Sequence, residues 1–406
     1  MTTLTLGASY RRLWSATLLS NLGDGIRAAA FPLLAVTLTR DPVLIAAVAV
    51  ATQLPGLLLG LPAGSLADRF DRRRIVVAAD AVRLVVLLGL VGLIAGGGTT
   101  MGILLAVVFV SGATDVVRNT AASTFVPSLV ALDQLDRANG RLVVAEIAGN
   151  EFVGPPLGGY LFGVALVLPF AVNGGTLAIA VALVVSIPAT LTSAATGPRP
   201  TRQQSQIRVG LHWLRQHRSF WPVPATSAAL AMTDSAWFTL LVLYLEEVLH
   251  LSSAWYGILL AVGAVGGLGG GILAATLTRR VGAKSTTLIC LVLAALGQLA
   301  LGTTSSVVAT TAVLGTSSMA FAIWTVQART IIQRAVPSAL LGRVISVNRV
   351  IITAGSLLGA GLGGVVASHL GLHAPFLLGL PVLVVAGVLV AASRTAFAAV
   401  RPLSEG

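Results

Sequence analysis

Asp24, Glu146, Glu151 and Asp234 are carboxylates that lie inside apolar runs. An ionisable group at membrane depth costs roughly 2.5–3.5 kcal/mol on insertion scales, so it survives beside a partner or a wet crevice. A carboxylate placed there can take up and release a proton, or hold a cationic group. Arg27 follows Asp24 by three residues, and residues three apart share a helix face. The two can form a fixed structural ion pair, or Asp24 can bind a coupling proton or a cation while Arg27 tunes it. Asn150 lies four after Glu146, so these two can line one wall. At 3.6 residues per turn Glu151 falls about 140° away from Glu146, toward a different neighbour. An arginine near the end of the same run offers Glu146 a purely structural pairing. Asp234 is flanked by Thr233 and Ser235, and either a cavity or those hydroxyls can hold it. Trp237, Phe238 and Trp324 lie deep in their runs, where they can stack on a hydrophobic ligand or simply pack.

Asp68, Arg69, Arg72 and Arg73 form a polar cluster between the second and third apolar runs, and Asp115 and Arg118 stand three apart near the end of the fourth. A carboxylate such as Asp68 can accept bonds from an arginine or from the positive N-terminal end of a helix. That chemistry suits a latch that makes and breaks; the arginines can equally do no more than fix topology. Catalytic patterns are missing. No Gly-x-x-x-x-Gly-Lys-Ser/Thr loop is present to cradle nucleotide phosphates. The five histidines form no His-Glu-x-x-His, and the single cysteine, Cys290, makes a metal site improbable. No Gly-x-Ser-x-Gly elbow stands in a strand-turn-helix setting. The expectation is a protein without enzymatic activity, cofactor or metal.

These residues have to be positioned by membrane helices. The chain has 406 residues, 56% hydrophobic and only 10% charged, where a soluble domain carries about 25% charged. Disorder needs the opposite composition, and one cysteine cannot staple a secreted scaffold. At about 20 residues per span, the apolar runs predict twelve helices, near 13–38, 43–67, 75–96, 101–122, 141–163, 166–190, 221–245, 255–277, 285–303, 306–326, 346–368 and 372–393. The expected fold class is all-α integral membrane. The longest polar stretch divides it into an N-terminal six-helix bundle (1–191), a linker (192–219) and a C-terminal six-helix bundle (220–406). Within the linker, Ile207, Leu211 and Leu214 recur at helical spacing beside Trp213 and several arginines, which predicts an amphipathic helix on the inner membrane surface.

The net charge is +12. Nearly all of the arginines fall in alternate loops, and by the positive-inside rule this puts both termini in the cytoplasm of a multi-pass cell membrane protein. Arg40, beside Asp41, is the outer-side exception. Because the basic residues are scattered over short loops, they read as topology and anionic-lipid contact, with no nucleic-acid partner expected. The first apolar run contains Asp24 and Arg27 and no clear small-residue cleavage site, so it is read as a retained span.

The two halves echo each other. Asp24 and Asp234 are 210 residues apart, as are Val126-Pro127-Ser128 and Val336-Pro337-Ser338. Gly64-Ser65-Leu66-Ala67-Asp68-Arg69 corresponds to Ala275-Thr276-Leu277-Thr278-Arg279-Arg280 at an offset of 211, and Leu157-Gly158-Gly159 to Leu362-Gly363-Gly364 at 205. Such a duplication is a transporter architecture, with two halves rocking about a midplane site. Gly154-Pro155-Pro156-Leu157-Gly158-Gly159 combines a helix bend with a close-packing face. Glycine-rich faces recur at Gly263, Gly266, Gly267, Gly269, Gly270 and Gly271, and at Gly355, Gly359, Gly361, Gly363 and Gly364.

Gly64-Ser65-Leu66-Ala67-Asp68-Arg69-Phe70-Asp71-Arg72-Arg73-Arg74 resembles the signature loop of the major facilitator superfamily, with Asp71 where glycine is usual. Gly154, Pro155, Gly158 and Gly159 resemble the Gly-Pro-x-x-Gly-Gly core of the drug and metabolite antiporter motif, with Asn150 where a further glycine is usual. Asn21-Leu22-Gly23-Asp24-Gly25-Ile26 and Leu135-Asp136-Arg137-Ala138-Asn139-Gly140 resemble the branch that contains macrolide efflux proteins and enterobactin exporters. The resemblance implies export of a small, partly hydrophobic molecule (a drug, an antibiotic or a siderophore) by alternating access in exchange for protons. It also implies a monomer, and a cytoplasmic gating latch made by Gly64, Asp68, Arg69, Arg72 and Arg73, with Asp115 and Arg118 in the same network. A proton-coupled uptake symporter and a non-transporting membrane sensor or assembly factor remain the alternatives.

Overall fold

The computed structural model describes residues 7–126, 129–130, 134–188, 203–393 and 397. The linker residues 192–202, the surroundings of Gly64 and the side chains of Asp68 and Arg69 lie outside the described residues, and with them the latch expected of those three. Every regular element among the described residues is helical. In the N-terminal half these are α1 (Ala8–Leu38), α2 (Pro42–Arg69), α3 (Arg72–Ala95), α4 (Met101–Phe125), α5 (Leu135–Ile147), α6 (Gly154–Val164) and α7 (Leu168–Val185). After α8 (Gln203–Gln216), the C-terminal half follows with α9 (Pro222–Phe238), α10 (Leu241–Glu247), α11 (Ser253–Val281), α12 (Ala283–Thr303), α13 (Val307–Ala335), α14 (Ser338–Leu370) and α15 (Ala374–Ala392). Among the described residues, ten stretches are long and apolar enough to cross a membrane. Two expected spans are not among them: α1, which carries Arg11, Arg12, Asp24 and Arg27, and the interrupted run from α5 to α6.

Starts are set by local chemistry. The Asp71 side chain accepts from the Arg74 N–H (2.9 Å) to open α3, and Thr100 and Ser306 cap α4 and α13 in the same way. Ends are closed by bases at the negative end of the helix dipole. Arg73 donates to the Val184 carbonyl (3.3 Å) and to that of Val185 at the end of α7. Lys284, 211 residues later, donates to the Ala391 (2.6 Å) and Ser393 (3.0 Å) carbonyls at the end of α15. One capping device is thus built twice, which gives the sequence repeat a structural counterpart.

The chain forms two compact units. The first comprises Met1–Arg40, Val48–Pro198 and Leu251–Ala261; the second comprises Asp41–Ala47, Arg199–His250 and Val262–Gly406. The start of α11 therefore belongs with the first unit and the start of α2 with the second. In the first unit α6 meets α11 backbone to backbone, where a Cβ on Gly159 would stand 3.1 Å from the Gly257 nitrogen. In the second, a Cβ on Gly364 would stand 3.0 Å from the Pro42 carbonyl oxygen, where α14 meets α2.

Glycines thread both units, but not as the uniform faces expected from composition. Along α14, Gly355, Gly359 and Gly363 touch the backbone of Ala228, Met232 and Ala236 on α9, while Gly361 faces open space. Along α11, Gly263, Gly266 and Gly270 meet α13, while Gly267, Gly269 and Gly271 face open space. The contact ladder runs every third or fourth residue because only that row faces one neighbour.

The amphipathic helix α8 packs part of its apolar face against the protein; the side chain of Ile207 lies outside the described residues. Trp213 and Leu214 are buried in a core with Phe220, Val344 and Val347, and Gly210 rests on the Arg343 carbonyl of α14. Trp213 and Leu214 thus dock α8 on the C-terminal unit. Both environments reward the same spacing of apolar residues, so periodicity alone does not separate them.

Candidate functional site

In the first unit the motif Asn21–Ile26 folds into the middle of α1 and faces three ways. A Cβ on Gly23 would fall 2.6 Å from the Thr176 hydroxyl on α7, and one on Gly25 would fall 2.9 Å from the Gly154 Cα at the start of α6. The missing side chains let α1 press against α7 on one side and α6 on the other. Asp24, between them, turns to α3 and α4.

There it enters a closed charge network. The Asp24 carboxylate accepts from Arg27 (3.2 Å) and from Arg83 of α3 (2.8 Å). Asp115 of α4 accepts from Arg27 (2.6 Å) and also from Arg83. Arg83 reaches on to Asp80 (3.1 Å) and to the Ser20 hydroxyl (2.7 Å), and Asp80 accepts from Arg118 (3.3 Å). Three aspartates meet three arginines, so the cluster carries no formal net charge. Asp80 and Arg83 are each only 1% exposed. Inside a low-dielectric bundle such a set holds together because removing one partner strands a buried charge.

The structure therefore joins Asp24 and Arg27 with Asp115 and Arg118 through two residues that the sequence reading did not single out as a site, Asp80 and Arg83. Their signal was in the chain. Asp24/Arg27, Asp80/Arg83 and Asp115/Arg118 share one spacing, Asp-x-x-Arg, on α1, α3 and α4.

Between α5 and α6 the helix widens into a π-helical stretch, Ala148–Val153, whose following residue Gly154 donates from its N–H to the Gly149 carbonyl. Hydrogen bonds of this type join residues five apart. The 140° separation expected of Glu146 and Glu151 from ordinary helical geometry does not hold across such a turn, and the two carboxylates are near enough to repel. Both are exposed. Asn150 faces α1, where its amide donates to the Asn21 side-chain oxygen (3.3 Å). The π-turn also seats Gly149 and Gly154 on α1: a Cβ on Gly149 would stand 2.7 Å from the Leu22 nitrogen, and one on Gly154 2.6 Å from the Gly25 Cα. Pro155 faces the other way, its carbonyl against Gly257 of α11. Gly158 and Gly159 continue the two seams.

In the second unit Asp234 sits on α9, in the position that repeats Asp24, yet in a different environment. The Trp237 indole is the polar group that acts on its carboxylate, and among the described residues no cation pairs with it. Just beyond Trp237 the span is interrupted by two turn residues: α9 ends at Phe238 and α10 starts at Leu241, with Leu240 bonding back to the Trp237 carbonyl (3.0 Å). The equivalent α1 is continuous. Of the three deep aromatics that could stack on a ligand or pack, two are core residues. Trp237 and Trp324 are each 2% exposed; Trp237 packs on Phe376 and the Trp324 indole donates to Ser227 (3.1 Å). An indole so enclosed has no free face. Phe238, at 38% exposure, keeps one.

Membrane-length helices in a duplicated pattern, with buried charges in mid-helix, define a multi-pass membrane protein of the transporter type. Residues 13–351 match the model of the Major Facilitator Superfamily, and the chain belongs to that family. It is 30% identical over 386 residues to the multidrug efflux pump Tap of Mycobacterium tuberculosis (strain ATCC 25618 / H37Rv), an alignment covering 90% of this chain and 89% of that protein. Among solved structures it is similar to a bacterial homologue of the iron transporter ferroportin in an inward-facing state, with TM-score 0.74, 20% identity, and 95% and 98% of the two chains covered. A mutant of the nucleoside transporter NupG aligns with TM-score 0.72 and 14% identity, over 95% and 99% of the chains. Both structural likenesses speak to the fold. The family is one of transporters, not enzymes.

Proposed function

We propose that this protein exports a small, partly hydrophobic molecule by alternating access in exchange for protons, with Asp234 as the acid that takes up the coupling proton. The observation that carries this reading is the contrast between the two repeat-related aspartates. Asp24 has two arginine partners and a neutral surrounding cluster, so protonating it would break ion pairs. Asp234 has a neutral indole and, among the described residues, no cation partner, beside an interruption of its helix at Thr239 and Leu240. Discontinuous membrane helices are the usual frame of substrate and ion sites. The half-exposed ring of Phe238 next to that acid suits a cationic molecule with an apolar body. Similarity to a multidrug efflux pump over nine-tenths of both chains supports the direction of transport.

In this reading the Asp24–Arg27–Asp80–Arg83–Asp115–Arg118 cluster holds α1, α3 and α4 as one rigid piece, and Glu146 and Glu151 form a second protonatable pair. Gly64, Asp68, Arg69 and Arg72 supply the gating latch, while Arg73 serves as a helix cap within its own half. The protein works in the cell membrane, as a monomer, with both termini in the cytoplasm.

Everted vesicles test the function. With ethidium as the probe, acidifying the vesicle interior drives accumulation by an exporter. Asp234→Asn retains normal protein levels and loses proton-driven accumulation. Ethidium leaving the vesicles down the same gradient would indicate an uptake symporter. An absence of ethidium-dependent proton flux across a panel of cationic dyes would favour a sensor or assembly factor.

A further inference from the structure

Where α1 and α5 begin, a cavity of about 510 Å³ opens between them. It belongs wholly to the first unit and lies apart from the charge network. Three arginines line it, Arg11, Arg137 and Arg141, and its described lining residues include no carboxylate. Its walls are set by two aromatic side chains. The Tyr10 hydroxyl donates to the Ala138 carbonyl (2.8 Å), and the Trp14 indole donates to the Arg141 carbonyl (3.0 Å). These bonds tie α1 to α5 and fix both rings. Val144 gives the cavity an apolar edge, 65% exposed.

The basic residues at this end differ in their duties. Arg12 donates to the Ser186 carbonyl (2.6 Å), and Arg73 closes α7. Among the described residues, Arg11 and Arg141 meet no carboxylate at ion-pair distance, and both are exposed. Two such cations facing one cavity call for an anion from outside. The long apolar run of α1 starts at Leu13, so the cavity stands at the level where a bilayer changes from headgroup to hydrocarbon. Tryptophan and tyrosine favour that level, and basic pockets between membrane helices hold anionic headgroups.

We propose that this cavity binds the phosphate-bearing headgroup of one anionic membrane lipid, its phosphate among Arg11, Arg137 and Arg141 and its acyl chain along Val144. The leaflet follows the proposed orientation and is the inner one; the site itself does not depend on the transport reading. Oxygen acceptors of a phosphodiester can each take guanidinium donors, and the apolar edge distinguishes a lipid from a free phosphate.

Native mass spectrometry of the purified full chain tests it, with phosphatidylglycerol, phosphatidylcholine and soluble glycerol phosphate as probes. We expect one tightly held phosphatidylglycerol, no comparable phosphatidylcholine, and no displacement by millimolar glycerol phosphate. The R11Q/R137Q/R141Q variant should weaken that binding by about a hundredfold, at roughly one kcal/mol for each arginine near the surface. The three-lysine variant should retain most of it. Should the triple glutamine variant not accumulate, Arg141→Glu alone, an exposed position, serves in its place and should also lose the lipid. Equal loss in R279Q/R280Q, exposed arginines elsewhere, would overturn the proposal in favour of diffuse surface charge. Displacement by glycerol phosphate would overturn the lipid in favour of a soluble anion. Loss of export with lipid binding intact would count against the transport reading alone.

Discussion

Asp80 shows what a single buried atom set can decide. It accepts from both Arg83 and Arg118, so neutralising it leaves two guanidinium groups short of a counter-charge in a nearly sealed place. Asp80→Asn is expected to destabilise the protein by about 3–5 kcal/mol, the range for breaking a buried pair. Thermal unfolding in detergent measures this, and adding Arg118→Met should recover part of the loss by restoring neutrality. Exposed Glu146→Gln is the control and should leave the midpoint close to wild type. At this scale the chain was partly legible. Asp24 with Arg27 and Asp115 with Arg118 stood out as charges three apart in apolar runs. Asp80 and Arg83 did not, because they lie near the start of a span whose neighbouring arginines already accounted for themselves as topology markers. Their common Asp-x-x-Arg spacing was readable, but nothing in one dimension said that three such pairs would converge.

Helix positions and lengths were written in the apolar runs, and the twelve expected spans have helical counterparts. Two features were not: the π-turn, which leaves hydropathy unchanged while rotating everything beyond it, and the docking of α8, whose apolar stripe fits a protein surface as well as a lipid one. The glycine seams make a sharp contrast possible within one helix. Gly359 faces the Met232 backbone, and a Cβ there would sit 2.9 Å from its Cα; Gly361, half a turn away, has nothing within 4 Å. Gly359→Ala should therefore cost about 1–3 kcal/mol through overpacking. Gly361→Ala should be neutral or stabilising by about 0.5–1 kcal/mol, from the lower chain entropy of alanine. Paired unfolding midpoints of the two variants check both signs. The caps at Arg73 and Lys284 are expected to behave alike, each alanine variant losing about 0.3–1 kcal/mol, because they close corresponding helices of a repeated unit.

Orientation is a property of the whole molecule and rests on where the arginines fall. Cys290 is buried and unpaired, so a Cys290→Ala background should fold and leave no labelling of its own. On that background Arg40→Cys is expected to react with a membrane-impermeant thiol reagent in intact cells, and Arg218→Cys only after permeabilisation. The reverse pattern would invert the proposed topology. The duplication was legible as offsets of 205 to 211 residues, and it reappears in the paired caps and in the paired approaches of Gly159 to α11 and Gly364 to α2. The difference between the two aspartates was not legible, since it arises from what α3 and α4 bring to Asp24, and only a folded bundle decides that. The ladder of Gly355, Gly359 and Gly363 against Ala228, Met232 and Ala236 carries one last implication. Random mutagenesis of this chain should leave a periodic scar: an intolerance recurring every fourth codon of α14, in which conservative and drastic replacements fail alike, because what is needed there is the absence of a side chain.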